Sequence, residues 1–328
     1  MLNKLTPIPY AVAAAAVLSA TWAPAAIAQS YPTRPIRLIV PYPAGGPTDF
    51  VGRTVAQKLS ETLGQQVVVD NRAGASAMIG HELGAKATPD GYTLLFATGG
   101  GMVIAPLAVA KPAYDASKDF AAVSLLVISP QIIVAHPSFP GNTIKELIAA
   151  AKAKPGAYNF ASVGTGSPNH LGGELLKAMA NIDVVHVPYK GAGPMLVDLL
   201  GGRLSFTVLD IGSLLPHVQA GKLKVLATAG TKRATQMPDV PTFKEAGLDG
   251  FEVISWMGIF LPAKTPEPVR RAWADALQRH LTSPAIATNF ATIGLIPDYL
   301  GPEDFAKTIE RDTAAWKALI TVAKITAN

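Results

Sequence analysis

The stretch Ile36-Arg37-Leu38-Ile39-Val40-Pro41-Tyr42-Pro43-Ala44-Gly45-Gly46-Pro47-Thr48-Asp49 constrains this chain most. An apolar, β-branched run ends in a Gly-Gly turn and passes straight into a helix start. The first helical N–H groups lack partners and the helix dipole is positive there, so the junction attracts anions at the carboxyl end of a buried strand. A second strand–Gly–helix junction follows at Phe160-Ala161-Ser162-Val163-Gly164-Thr165-Gly166-Ser167-Pro168-Asn169-His170. Two such junctions predict two lobes gripping one small anionic ligand.

Strand-like and helix-like segments alternate along the chain. Ile36–Tyr42 reads as a buried strand and Thr48–Leu63 as a helix, with Val51, Val55, Leu59 and Leu63 four apart on one face and Gly64 as its stop. Gln66–Asn71 and Thr93–Thr98 are further strands around a helix at Met78–Ala87, an order that argues for a parallel sheet covered on both faces. Val123–Ala135 is too long for one ordinary strand and carries Pro130; it reads as a crossing to the second lobe. Thr143-Ile144-Lys145-Glu146 resembles a capping box. Strands at Tyr158–Val163, Val184–Pro188, Leu204–Leu209 and Lys224–Thr228, with helices at Pro168–Ala180 and near Pro194–Leu200, build that lobe. Phe251–Leu261 reads as the return crossing, and Pro266–Leu281 and Pro302–Ile320 as closing helices. The expected domains are 29–130 with 254–328, and 131–253.

The N-terminus reads as an export signal: Lys4, an apolar stretch from Tyr10 to Trp22 shorter than the ~20 residues of a membrane span, and Ala26-Ile27-Ala28 before Gln29. Cleavage after Ala28 and a periplasmic product are expected. The chain has no cysteine, which removes disulfides, thiolate metal sites, iron–sulfur clusters, cysteine nucleophiles and a lipidated cysteine together. Its 28 basic and 23 acidic residues are scattered, with no basic stripe for nucleic acid.

Beyond these patterns, the chain resembles the Bug family of extracytoplasmic solute receptors, the TctC-like proteins of tripartite tricarboxylate transporters. The resemblance rests on Pro41-Tyr42-Pro43-Ala44-Gly45-Gly46-Pro47-Thr48-Asp49, Gly164-Thr165-Gly166-Ser167-Pro168-Asn169-His170-Leu171 and His186-Val187-Pro188-Tyr189-Lys190-Gly191. Asp198-Leu199-Leu200-Gly201-Gly202, Pro238-Asp239-Val240-Pro241-Thr242 and Glu245-Ala246-Gly247 add to it. It implies a Venus-flytrap protein of the type II periplasmic-binding-protein fold, α/β, with two crossing strands as hinge. It also implies a ligand, usually a carboxylate, held through main-chain N–H groups and ordered waters of the two Gly loops. A small organic acid or amino acid is the expected ligand. A transporter subunit or sensor-kinase ectodomain is the expected listener, with a monomeric receptor and no cofactor. Where the family often has Phe-Pro-Pro-Gly-Gly, this chain has Tyr42-Pro43-Ala44-Gly45-Gly46, so Tyr42 and Ala44 alter the pocket wall. The C-terminus lacks the family's Ala-Gly-Ile ending.

Each candidate contact has a bland alternative. Gly45 and Gly46 also suit a plain βα turn. Asp49 would repel an anion and fits bracing or water positioning. Ser162, Gly164, Thr165 and Ser167 surround the second junction, where Ser167 also suits an N-cap. His170, one turn on, suits a packed core place better than a ligand contact. Tyr189 and Lys190 face the cleft or else cover core and solvent. Ala73, Gly74 and Thr98 end strands and are wall segments, since ligands of open α/β sheets bind at such ends. Asp210 faces the cleft or caps a helix. Arg53 and Arg72 have the shape of carboxylate clamps, but neither outranks the backbone sites.

An exported enzyme acting on a small carboxylate or ester is the alternative. It fails on motif: Gly164-Thr165-Gly166-Ser167 lacks a nucleophile elbow, and no zinc-type histidine pair or dinucleotide fingerprint appears. A structural or adhesive wall module would suit repeats or an exposed β architecture better.

Overall fold

The computed structural model describes residues 31–323 apart from 108, 110, 166, 231, 232, 235, 250, 252, 253 and 282. The leader and Gly166 lie outside the described residues. The first lobe opens with β1 (Ile36–Val40), α1 (Pro47–Leu63), β2 (Val67–Asn71), α2 (Met78–Ala85), β3 (Thr93–Thr98) and the short α3 (Ala105–Leu107), which continues a π-helical turn at Gly100–Ile104. Then follow β4 (Phe120–Ala135), α4 (Ile144–Ala153), β5 (Asn159–Ser162), α5 (Pro168–Ala180), β6 (Val185–Pro188) and α6 (Ala192–Leu200). The chain ends through β7 (Phe206–Asp210), α7 (Ile211–Gln219), β8 (Lys224–Thr228), β9 (Ile254–Pro262), α8 (Glu267–Leu281), α9 (Pro284–Ala291), β10 (Ile296–Leu300) and α10 (Pro302–Ala323).

β1 forms because its apolar run fits a strand covered on both faces; every residue but Arg37 is buried. α1 starts on Gly46 in an extended conformation (φ −85°, ψ 172°) and stops on Gly64 in the left-handed region (φ 62°, ψ 14°). Val51, Val55 and Leu59 are fully buried along its inner stripe. Each such side chain contributes roughly 1.5–3 kcal/mol, so packing rather than propensity holds the helix on the sheet. In α4, Thr143 accepts the Glu146 N–H (3.2 Å), while the Glu146 carboxylate returns to Asn142 N–H (2.5 Å), one residue outside the usual box.

β1 lies between β2 and β3, all parallel, with Leu38 opposite both Val69 and Leu94. β9 runs antiparallel to β3. β4 is a single strand of 16 residues that belongs to both halves of the sheet. Up to Pro130, which faces Ile254, it pairs with β9. From Gln131, which faces Asp210, it pairs with β7, and with β8 on its other side. The exchange of partners falls on a proline that has no N–H to offer a ladder. β7, β5 and β6 complete the second half in parallel. The residues before β9 that the return crossing requires, 252 and 253, lie outside the described residues.

The structure adds α3, α7, α9, β10 and the π-turn to the elements legible in the sequence. Trp316 on α10 packs against the cores of both halves. Among the described residues no helix is long and apolar enough to cross a membrane.

Candidate ligand-binding site

β1, β2 and β3 are parallel, so their following loops share one edge of the first half; β5, β6 and β7 do the same in the second. All sixteen expected contact residues sit on these two edges. The edges meet: a Cβ placed on Gly100, just after β3, would lie 3.0 Å from Pro168 Cγ at the start of α5. A gap of about 10 Å³ at that meeting is lined by Gly99, Gly100, Gln131, Pro168, Ser255 and Trp256.

In the first loop, Asp49 is the brace. It is buried, its Oδ2 accepts from Gly45 N–H (2.9 Å) and Arg53 Nε (2.9 Å), and its Oδ1 accepts from Asn71 Nδ2 (2.9 Å). Burial opposes its charge, but the bonds from Arg53, Gly45 and Asn71 outweigh that and hold the carboxyl below its ordinary range. Asn71 Nδ2 also reaches Tyr42 O (3.1 Å), and Arg53 reaches Asn71 Oδ1 (3.1 Å). Arg53 is thus spent on the brace, and Arg72 pairs with Asp70 (2.8 Å); neither stands as a free carboxylate clamp.

The brace corrects one expectation: the Gly45 N–H is already committed to Asp49. The amides left are those beyond it. Gly46 caps α1 without a side-chain bond, Pro47 has no N–H, and helical bonding begins at Phe50 N–H to Gly46 O. Thr48 and Asp49 therefore present first-turn N–H groups without intrahelical partners. Ala44 and Gly45 are exposed beside them. Tyr42 is tied to β3: its hydroxyl bonds Thr98 Oγ1 (2.5 Å), and burial, against that bond, pushes the phenol up to about 12.

The second loop is more self-contained. Ser167 caps α5 by accepting His170 N–H (3.3 Å), so only the Asn169 N–H of the first turn is without an intrahelical partner. Ser162 is fully buried, and its Oγ lies 3.2 Å from Gly164 N and 2.7 Å from His186 Nε2. Thr165 is exposed. His170 is buried and stacked on His186 (centroids 3.9 Å), with Glu174 4.0 Å from its Nε2, the packed place that competed with a ligand contact. The Tyr189 phenol is also spent, donating to Asp198 Oδ2 (2.6 Å). Asp210 caps α7, accepting Ser213 N–H and Oγ–H at 2.9 Å each, and burial raises its carboxyl. Lys190, Ala73 and Gly74 are exposed on their edges, and no hydrogen bond among those described ties them to either loop.

Sequence reasoning passed over Asn71 and His186. Asn71 closes the run Val67-Val68-Val69-Asp70-Asn71, and a polar amide at the carboxyl end of an apolar strand was the available signal. A cavity of about 550 Å³, lined by Met102, Tyr114, Phe120, Phe260, Ile309 and Thr313, lies behind the π-turn and includes none of the expected contacts.

His81, fully buried on α2, stacks on Tyr114 (5.1 Å) and has Nδ1 2.8 Å from Ala77 O. Burial pushes its imidazole down to about 4, and that of His186, also next to His170, to about 4. The unfolded chain therefore binds these protons first as pH falls below 6.5, and stability drops until about pH 4, where the folded state protonates too. For His81 the full loss is about 3 kcal/mol. The depressed carboxylates keep their contribution down to about pH 5 and lose it only below that. The urea midpoint is expected to fall clearly between pH 7.5 and pH 5.0; equal midpoints would contradict the burial of these rings.

The chain matches the family described as tripartite tricarboxylate transporter family receptor over residues 51–325. It is 36% identical to Protein BugT of Bordetella pertussis, across 89% of this chain and 90% of that one. An R. palustris protein solved with adipate superposes with a TM-score of 0.82 at 33% identity, covering 90% of this chain and 99% of the other. MatC from Rhodopseudomonas palustris, solved with malate, gives 0.77 at 31%, covering 88% and 100%. The fold is thus the α/β fold of the periplasmic solute-binding proteins, and these are receptors, not enzymes. With two carboxyl-edge loops meeting across a shared strand and this match over most of its length, the chain belongs to the tripartite tricarboxylate transporter receptors.

Proposed function

We propose that the protein is an exported receptor that closes two lobes on a small carboxylate-bearing metabolite and presents it to a membrane transporter or a sensor. The observation that supports this most is the start of α1, where a braced loop leaves Thr48 and Asp49 N–H groups without intrahelical partners at the positive end of a 17-residue helix. Adipate and malate on two relatives make a dicarboxylate the first class to test. The contacts are Gly46 and the first turn of α1 in one lobe, and Gly164, Thr165 and Ser167 in the other, with Tyr42, Ala44 and Thr98 as wall.

In this reading residues 1–28 are a leader removed after Ala28, and the product acts in the periplasm as a monomer without cofactor. The lobes are 29–130 with 254–328, and 131–253; the partner exchange of β4 between Pro130 and Gln131 supports that division. Closure is needed on energetic grounds. Two charge-assisted bonds from one loop supply about 3–6 kcal/mol, short of the ~8 kcal/mol of micromolar binding. The second lobe supplies the rest and expels water.

A thermal-shift screen of succinate, malate, adipate, citrate and glutamate tests the reading. At one hundred times Kd the true ligand adds ~2.7 kcal/mol, enough for a shift of about 5 °C. No shift with any of these acids would overturn the proposed ligand class. Saturating ligand is also expected to shrink the radius of gyration in solution scattering. Identical profiles would remove hinge closure while leaving binding intact.

A further inference from the structure

Two imidazoles sit beneath the second loop in a place where apolar rings would pack at lower cost. His186 on β6 lies against Phe160 (centroids 4.9 Å, 24°) and His170 (3.9 Å, 20°). Burying a neutral imidazole costs desolvation unless its nitrogens are bonded. For His186 the structure shows what one nitrogen does: Nε2 lies 2.7 Å from Ser162 Oγ.

Ser162 Oγ has three neighbours, and its one proton and two lone pairs decide their roles. It accepts from Gly164 N–H (3.2 Å) and donates to Gly164 O (3.1 Å). The serine proton is then used, so His186 Nε2 must carry a proton and donate to the remaining lone pair. All three bonds coexist only when His186 Nε2 carries a proton, which in the neutral ring is the Nε2–H tautomer.

The same stack reaches the other end of the loop. His170 stands on the first turn of α5, its N–H is capped by Ser167, and its ring covers His186. Gly164 has φ +146°, a backbone state that few residues other than glycine hold unaided, so the peptide at this point needs outside support. Tyr189 N–H to Ser162 O (2.9 Å) and Gly191 N–H to Val163 O (3.1 Å) tie the loop after β6 to the same backbone.

We propose that His186 is a positioning residue: through Ser162 it fixes the Gly164 peptide, and its stack with His170 clamps both ends of the second ligand loop. This rests on reading that loop as a ligand contact. His186 itself does not touch the ligand.

The test uses the mature chain, with His186→Ala, His186→Gln and Ser162→Ala. Glutamine keeps an N–H donor near the position of Nε2; alanine does not. The first readout is hydrogen exchange of the Gly164 amide without ligand. Protection is expected to fall tenfold or more in His186→Ala and in Ser162→Ala, and to return to within threefold in His186→Gln. The second is the His186 tautomer by long-range nitrogen NMR, expected as Nε2–H. The third is Kd for adipate and for malate by calorimetry, expected to weaken about tenfold in His186→Ala. The double variant His186→Ala/Ser162→Ala is expected to be weaker than either single one by less than the sum of the two effects, because both substitutions remove the shared Ser162–His186 bond.

Unchanged Gly164 protection in His186→Ala, an Nδ1–H tautomer, or additive effects in the double variant would each overturn the clamp. If His186→Ala does not fold, the tautomer in the wild type and the Ser162→Ala protection still decide it. Should the wild type bind neither acid, the proposed ligand class fails, while exchange and tautomer continue to judge the clamp.

Discussion

Gly173→Ala is expected to lower the melting temperature by about 4–8 °C, although alanine is the better helix former. The helix-propensity gain is about 1 kcal/mol. Against it stands a ring. A Cβ on Gly173 would lie 2.0, 2.3 and 2.6 Å from Cε2, Cδ2 and Cζ of Phe160. That ring cannot swing aside, because Phe160 is fully buried, with His186 at 4.9 Å and Phe206 at 6.0 Å. Overpacking a close-fitted core costs about 1–3 kcal/mol and sometimes more. Three rigid contacts this short put the site at the upper end, so the net is a loss near 2 kcal/mol, or about 4–8 °C at ~2–4 °C per kcal/mol. Thermal melts of the two proteins decide it. An equal or higher midpoint for the alanine variant would mean that α5 does not press on β5 as described.

The same contact shows why the sequence carries the fold better than the site. Helix positions follow from periodicity: Val51, Val55 and Leu59 announce the buried stripe of α1, and the junctions at Gly46 and Ser167 announce where two helices begin. Gly173 gives no such signal, since a glycine inside a helix reads only as a weak position until its neighbour across the sheet is known. The site has the same difficulty. That Asp49 braces was legible because a carboxylate repels an anion, and the packed place expected for His170 matches its burial. That Gly45 spends its N–H on Asp49, and that Asn71 joins them, depends on β1 and β2 lying side by side, a pairing no local pattern specifies. His186 is further removed, since its bond is to Ser162, 24 residues earlier, and its stack is with His170 on another element. The run to Ala135 reads as too long for one strand, yet it is one strand of 16 residues, because two partner sets share it. β10 escaped notice because Ile296-Pro297-Asp298-Tyr299-Leu300 carries a proline and an aspartate, which an edge strand tolerates.

Gly46→Val is expected to weaken dicarboxylate binding a hundredfold or more with little change in melting temperature. The backbone permits the change. Gly46 has φ −85° and ψ 172°, an extended conformation that suits a β-branched residue, and a Cβ there meets nothing within 4 Å. In the proposed site the new side chain stands between the ligand and the Thr48 and Asp49 amides. Shielding two charge-assisted bonds removes about 3–6 kcal/mol, a hundredfold or more in Kd. Gly45→Val separates this steric effect from damage to the loop. Gly45 has φ +88°, where a side chain costs roughly 1–2 kcal/mol, and its N–H holds the Asp49 brace. That variant is expected to lose both affinity and melting temperature. Calorimetry with the acid found in the screen, beside thermal melts of both variants, separates the cases. A Gly46→Val protein that melts as the wild type does and binds as tightly would show that the ligand does not rest on the start of α1.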